Sequence, residues 1–266
     1  MSLNNEKNQL SKQVEKVVSL CNGRDIKQVV NDLMQMFCNL ISEPRLIEVA
    51  FNNTLWKCNE DFRLELSYYK KYPKAWEELQ MLSTMFMQAI KNSEPFSDLI
   101  GDLYDMQLRG NKLGQFLTPH DVADALAQFN IITKEQPEAF KVYSVSEPCV
   151  GAGGLILGFI RNYYQAYGKG ATKNLDVHIN DLDIHMVKMA TVQIVMNSII
   201  HRIPIHRLTA THANLITEYE DMNMGKKDMY VWIPDTNKTS LIKMIDEKKE
   251  YVKKENEQLE KEVKYA

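Results

Sequence analysis

The feature that most constrains the fold is Glu147-Pro-Cys-Val-Gly-Ala-Gly-Gly154, a glycine cluster set between two apolar runs of different kinds. Val142 and Val145 belong to a short β-favouring run before it, while Leu155, Ile156, Leu157, Phe159 and Ile160 make an apolar helical run behind it. A strand, a tight glycine turn and a helix in that order let backbone approach a ligand closely, because glycine lacks a Cβ and tolerates positive φ. The expected occupant is a nucleotide-like cofactor. About one βα unit later, Leu175-Asp-Val-His-Ile179 leads into Asn180-Asp-Leu-Asp183. A carboxylate at the tip of a second strand suits a ribose diol, since each oxygen can accept from one hydroxyl. Glycine clusters also occur as plain turns, and Asp181 and Asp183 also suit ordinary turn carboxylates.

The rest of the chain divides by periodicity. From about residue 5 to 130 the pattern is helical: Val14, Val17, Val18 and Cys21 keep helical spacing, as do Val29, Leu33, Met36, Phe37 and Leu40, and Trp76, Leu79, Leu82, Met85, Phe86 and Ile90. From 141 to 236, strand candidates at 142–145, 177–179, 205–208 and 229–233 alternate with helices at 155–167 and 185–200. Met186, Met189, Ala190, Gln193, Ile194, Met196 and Asn197 form one stripe expected to pack on the sheet. In residues 241–266, seven Lys and seven acidic residues accompany Ile245, Val252 and Leu259 at seven-residue intervals. That pattern predicts a charged helix, either solvated or lying along another helix or chain. The expected organisation is a helical domain over 1–112, an α/β cofactor-binding core over 113–240 and a terminal helix over 241–266.

Upstream of the glycine turn stand Asp98-Leu-Ile-Gly-Asp-Leu-Tyr104 and Gly114-Gln-Phe-Leu-Thr-Pro119, the latter leading into Val122-Ala-Asp-Ala-Leu126. With the Glu-Pro-Cys-x-Gly-x-Gly-Gly run, this order resembles the adenine-N6 DNA methyltransferases, in particular the modification subunits of type I restriction systems and short methylase-like proteins of phages and mobile elements. The resemblance, spanning roughly Pro95 to Leu215, implies a Rossmann-like core that binds S-adenosyl-L-methionine. It assigns Phe116, Thr118 and Pro119 to the methionine end of the cofactor, Glu147, Cys149, Gly151 and Gly153 to the cleft, Asp181 or else Asp183 to the ribose, and Asn214 to the adenine. Thr118-Pro119-His120-Asp121 also suits a helix start, with threonine as N-cap and proline first in the helix.

The departure from the family pattern lies at its catalytic signature, an Asp/Asn-Pro-Pro-aromatic tetrapeptide after the fourth strand. There an amide or carboxylate oxygen and a proline carbonyl accept the hydrogens of the adenine amine, and the aromatic stacks on the flipped-out base. No Pro-Pro pair exists in this sequence, and Ile233-Pro-Asp-Thr236 stands in that place, so Pro234 and Asp235 are the catalytic candidates. Ile233 has no acceptor and Thr236 no stacking face. Two readings follow: a methyltransferase acting on adenine in DNA, or a cofactor-binding or assembly module without transfer. A nicotinamide enzyme is a weaker third, since Gly151-Ala-Gly-Gly-Leu-Ile-Leu-Gly158 misses its glycine pattern by one position.

A net charge of −3 gives no global basic field, so DNA contact would rely on a local patch or a partner subunit. The resemblance suggests a specificity subunit, or a second copy joined through the terminal helix. Cys21, Cys38, Cys58 and Cys149 lack metal-ligand spacing, so no metal site is expected. With no apolar run of membrane-spanning length and no signal core, a cytoplasmic protein is expected.

Overall fold

In the computed structural model, residues 3–43, 51, 54–101, 103, 118–131, 137 and 141–234 are described here. The predicted C-terminal helix, Phe116 and Asp235 lie outside them. Among the described residues the first helices are α1 (Leu3–Ser19), α2 (Ile26–Leu40) and, after strand β1 (Leu55–Cys58) and a 3-10 turn at Ser67–Lys71, α3 (Pro73–Asn92). Asp25 starts α2 with a reciprocal cap, accepting from the Gln28 amide at 2.8 Å while Gln28 accepts from the Asp25 amide at 2.9 Å. Pro73 starts α3, where its missing N–H costs nothing.

The core then runs α4 (His120–Asn130), β2 (Tyr143–Glu147), α5 (Gly154–Tyr167), α6 (Lys169–Thr172), β3 (Leu175–Asp181), α7 (Ile184–His201), β4 (Arg207–His212), α8 (Tyr219–Asn223) and β5 (Asp228–Ile233). Among the described residues these build a five-stranded sheet of order β1-β5-β4-β3-β2. Strands β2, β3 and β4 are parallel, and β5 is antiparallel to both β4 and β1. The α/β class and the β2-α5-β3-α7-β4 succession agree with the expectation.

Helix α7 departs from the predicted single stripe: every residue from Met186 to Ser198 is buried. It packs against β3 and β4 and also against α2 and α3, so it is enclosed on all sides. The N-terminal segment is likewise woven into the sheet. Strand β1, which helical periodicity did not reveal, pairs with β5, and Phe62 stacks on Tyr230 with ring centroids 4.7 Å apart. The Tyr230 hydroxyl donates to the Ile41 carbonyl at 2.9 Å, so this buried ring keeps a polar partner. Buried residues of both segments belong to one hydrophobic core.

The placement of β5 requires a correction. As a counterpart of the family's fourth strand, it was expected to deliver Pro234 and Asp235 to the site. Instead Leu208 pairs with Trp232 and Thr211 with Asp228, so β5 runs backwards beside β4. Its final residue and the buried Pro234 therefore stand at the end of the sheet opposite the glycine turn. Strand composition reveals burial but not direction, which is set by the connection through α8.

Candidate functional site

The candidate site lies at the carboxyl ends of the parallel strands β2, β3 and β4, the end at which open α/β sheets bind ligands. After Glu147 the chain turns tightly, with the Gly153 amide donating to the Val150 carbonyl at 2.9 Å. Gly151 has φ 55° and Gly153 has φ 109°, both in the region that favours glycine. At Gly154 a Cβ would lie 3.2 Å from the Asp98 carboxylate and 3.4 Å from the Thr118 carbonyl. Thus the Thr-Pro segment and the glycine turn, separated in sequence, abut in space. Helix α4 is seated the same way: a Cβ on Gly158 would come within 3.1 Å of the Ala123 Cβ, and Asp124 pairs with Arg161 and accepts from Asn162 at 2.8 Å.

Asp181 and Asp183, left as alternatives by the sequence, have different duties. Asp181 ends β3 and accepts from the Gly151 amide at 2.9 Å, with its other oxygen accepting from the Asp183 amide at 2.9 Å. Asp183 is the N-cap of α7 and accepts from the His185 amide at 2.9 Å. Only Asp181 touches the glycine turn. Each of its oxygens keeps a further lone pair in the plane, so the clasp leaves acceptor capacity. Glu147 lies at the tip of β2. Burial, the largest cause, raises its pKa, the Cys149 amide opposes that, and the Asp181 charge adds to it. Two carboxylates sharing one crevice suit a ligand that offers hydroxyl donors or positive charge.

Thr118 does not cap α4; Pro119 occupies that position with no side-chain cap, and its carbonyl accepts from the Ala123 amide at 3.0 Å. Cys149 is exposed beside the turn. Asn214 follows β4 and folds its side-chain oxygen onto the Ile216 amide at 3.0 Å, while its own amide donates to Glu218 at 2.8 Å. That oxygen organises the loop. Pro234 is not brought to the crevice, as the direction of β5 dictates.

Several positioning residues escaped the sequence reading. Gln193, on α7, donates to both the Asp98 carboxylate at 2.7 Å and the Ala152 carbonyl at 2.8 Å, and accepts from the Ile100 amide at 3.1 Å. Asn197, one turn later, accepts from the amide of Phe96, a residue at φ 62°. Together they bind the 96–101 segment to the back of the turn. Asn180 donates to the carbonyls of Pro148 and Ala213, each at 3.1 Å, and accepts from Thr211 at 2.9 Å, joining the three strand ends. Asn180 and Asp98 both stood in the quoted motifs, whereas two carboxamides four residues apart within an apolar helix were the available signal for Gln193 and Asn197. Among the described residues, no group of acidic, histidine and cysteine side chains could hold a metal ion, and no helix is long and apolar enough to cross a membrane.

The crevice can be compared with known proteins. No curated protein matches the chain significantly. Among solved structures, the type I restriction-modification system methyltransferase subunit from Streptococcus thermophilus is similar, with 14% identity and a TM-score of 0.43 over 82% of this chain. The chain covers 60% of that subunit's length. The family model for N-6 DNA Methylase matches residues 96–263, more than half of the 266 and inclusive of the turn, the Asp181 clasp and the Thr-Pro segment. The chain belongs to the N-6 DNA methylase family.

Proposed function

We propose that this chain is the S-adenosyl-L-methionine-binding part of a DNA methyltransferase acting on the N6 amine of adenine. The observation that carries the reading is the convergence of the Gly151–Gly153 turn, the Asp181 carboxylate and the Thr118 backbone on one crevice. When bound, the cofactor supplies a methyl group on a positively charged sulfur. The chain's own contribution is to hold and orient it. Glycines at 151 and 153 admit the ligand against backbone, Asp181 offers its remaining lone pairs to the ribose hydroxyls, and Glu147 adds a second acceptor. On the family resemblance, Thr118 and Pro119, with Phe116 two residues earlier in sequence, are assigned to the methionine end of the cofactor, and Cys149 and Asn214 to the cleft. Asp183 serves the site indirectly, by fixing the start of α7.

Transfer also needs acceptors for the adenine amine and a surface that stacks on the base. Pro234 lies at the far end of the sheet, and the sequence has no Pro-Pro pair. These two facts favour a second reading of the isolated chain, as a cofactor-binding module that transfers methyl groups only with a partner subunit. DNA is the proposed substrate of that assembly, with a specificity subunit or a second copy as companion. Radiolabelled methyl transfer to unmethylated DNA, run beside calorimetric cofactor titration, separates the readings. Incorporation by the chain alone supports the complete enzyme; binding without incorporation supports the module; neither removes both.

A further inference from the structure

Helix α5 begins at the candidate site, and the start of a helix carries positive partial charge on N–H groups that have no partner within the helix. Such an end ordinarily draws an anion, above all the phosphate of a nucleotide. The helix's own sequence does not answer that charge. Gly153, at the cap, makes no side-chain hydrogen bond, and the first turn holds no acidic residue.

The answer comes from far upstream. Asp98 is 4% exposed, and a Cβ on Gly154, the first residue of α5, would lie 3.2 Å from its Oδ2. Its Oδ1 accepts from the Gly101 amide and from the Gln193 carboxamide, each at 2.7 Å, so the group is held in place. Gly101 is required for this pose, because a Cβ there would stand only 2.1 Å from the same Oδ2. Asp98-Leu-Ile-Gly101 is thus a unit that sets one buried carboxylate at the start of α5. That Cβ on Gly154 would also lie 3.4 Å from the Thr118 carbonyl, so the carboxylate stands beside the Thr-Pro segment. Glu147 and Asp181 end β2 and β3 on the strand side of the same turn. Arg161, further along α5, is paired with Asp124.

We propose that Asp98 sets the charge preference of the candidate site: it offsets the positive end of α5, so that a nucleoside carrying a cation is favoured over a neutral or phosphate-bearing one. The inference deepens the methyltransferase reading and rests on it. When the methyl group leaves, the sulfonium of S-adenosyl-L-methionine becomes the neutral thioether of S-adenosyl-L-homocysteine, and the attraction to a carboxylate goes with the charge. Water screens a buried carboxylate little, so its field reaches a ligand it does not touch. Asp98 is on this account a specificity-determining residue that distinguishes the charged donor from its spent product, a difference of two affinities.

The test is calorimetric titration with three ligands: S-adenosyl-L-methionine, sinefungin, in which an amine carries the positive charge in place of the sulfonium, and S-adenosyl-L-homocysteine. The wild-type chain is expected to bind both cations more tightly than the thioether. Asp98→Asn keeps the shape and removes the charge, and is expected to narrow that preference at least about fivefold. Gly101→Ala, which displaces the carboxylate, is expected to narrow it in the same direction and carries the test should Asp98→Asn fail to fold by circular dichroism. Asn197→Ala, which loosens the 96–101 segment without touching the carboxylate, is expected to weaken all three ligands alike and keep the ratio. A merely structural role for Asp98 would move the affinities together. An unchanged ratio in Asp98→Asn, or in Gly101→Ala where that variant carries the test, overturns the proposal and leaves the methyltransferase reading in place, as does equal narrowing in Asn197→Ala. A wild type that binds the thioether as tightly as the cations overturns it too. Binding of none of the three by the wild type removes the proposal and the reading together.

Discussion

At the residue scale, the site turns on backbone geometry at Gly153. Its φ of 109° is costly for any L side chain, whereas an added Cβ would meet Ala190 at 3.4 Å, an ordinary contact. Gly153→Ala is thus expected to cost about 1–3 kcal/mol through strain rather than crowding, read as a lower denaturation midpoint together with weaker cofactor binding. Glu147 makes a prediction about pH. Since burial and the neighbouring Asp181 raise its pKa, it takes up a proton at higher pH than an ordinary glutamate as solutions are acidified. If its carboxylate accepts from the cofactor, affinity declines over that raised range. Glu147→Gln, which cannot titrate there, is expected to bind more weakly at neutral pH and to lack that part of the decline.

At the element scale, α7 is the frame on which the turn is mounted. Gln193→Leu keeps the volume but removes one donor from the Asp98 carboxylate, which keeps the Gly101 amide, and takes this side-chain partner from the Ile100 amide and the Ala152 carbonyl in a buried setting. A loss of roughly 2–4 kcal/mol is expected by chemical denaturation, since unsatisfied buried groups carry their full desolvation cost. Strands β3 and β4 are tied by another device. Burial works to raise the pKa of Asp176, but hydrogen bonds from His178 and Arg207 outweigh it and bring it down to about 2. Arg207 reaches both carboxylate oxygens, at 2.9 and 2.5 Å. A folded pKa below the unfolded 3.8 means that the stabilisation is complete above that value and is lost as pH falls toward about 2. Asp176→Asn is expected to cost about 2 kcal/mol at neutral pH, a difference that disappears near the acid end of a pH-dependent denaturation series.

For the whole molecule, the elements that were legible are those whose signals are local. The periodicity of Trp76 to Ile90 marked α3, the glycine cluster marked the junction of β2 and α5, and the acidic tip of β3 was visible in Asn180-Asp-Leu-Asp183. What stayed hidden depends on distant partners. Leu55–Cys58 is a strand because it pairs with β5, more than 170 positions away, and four residues cannot announce that alone. The direction of β5 and the enclosure of α7 are likewise properties of packing. Gln193 and Asn197 passed for part of an apolar stripe because Asp98 and Phe96, which they hold, lie more than 90 positions upstream. The catalytic corner was illegible for a different reason: the sequence has no acceptor tetrapeptide, and Pro234 lies where the sheet turns away from the crevice.

The central claim concerns what fills the hollow between Gly151, Asp181 and Thr118, and calorimetric titration of S-adenosyl-L-methionine into the wild-type chain and Asp181→Ala tests it most directly. The account predicts one-to-one binding by the wild type and at least about tenfold weaker binding by the variant, a loss of 1.4 kcal/mol or more, with far-ultraviolet circular dichroism unchanged. No binding by the wild type, or equal affinity in the two proteins, would contradict it.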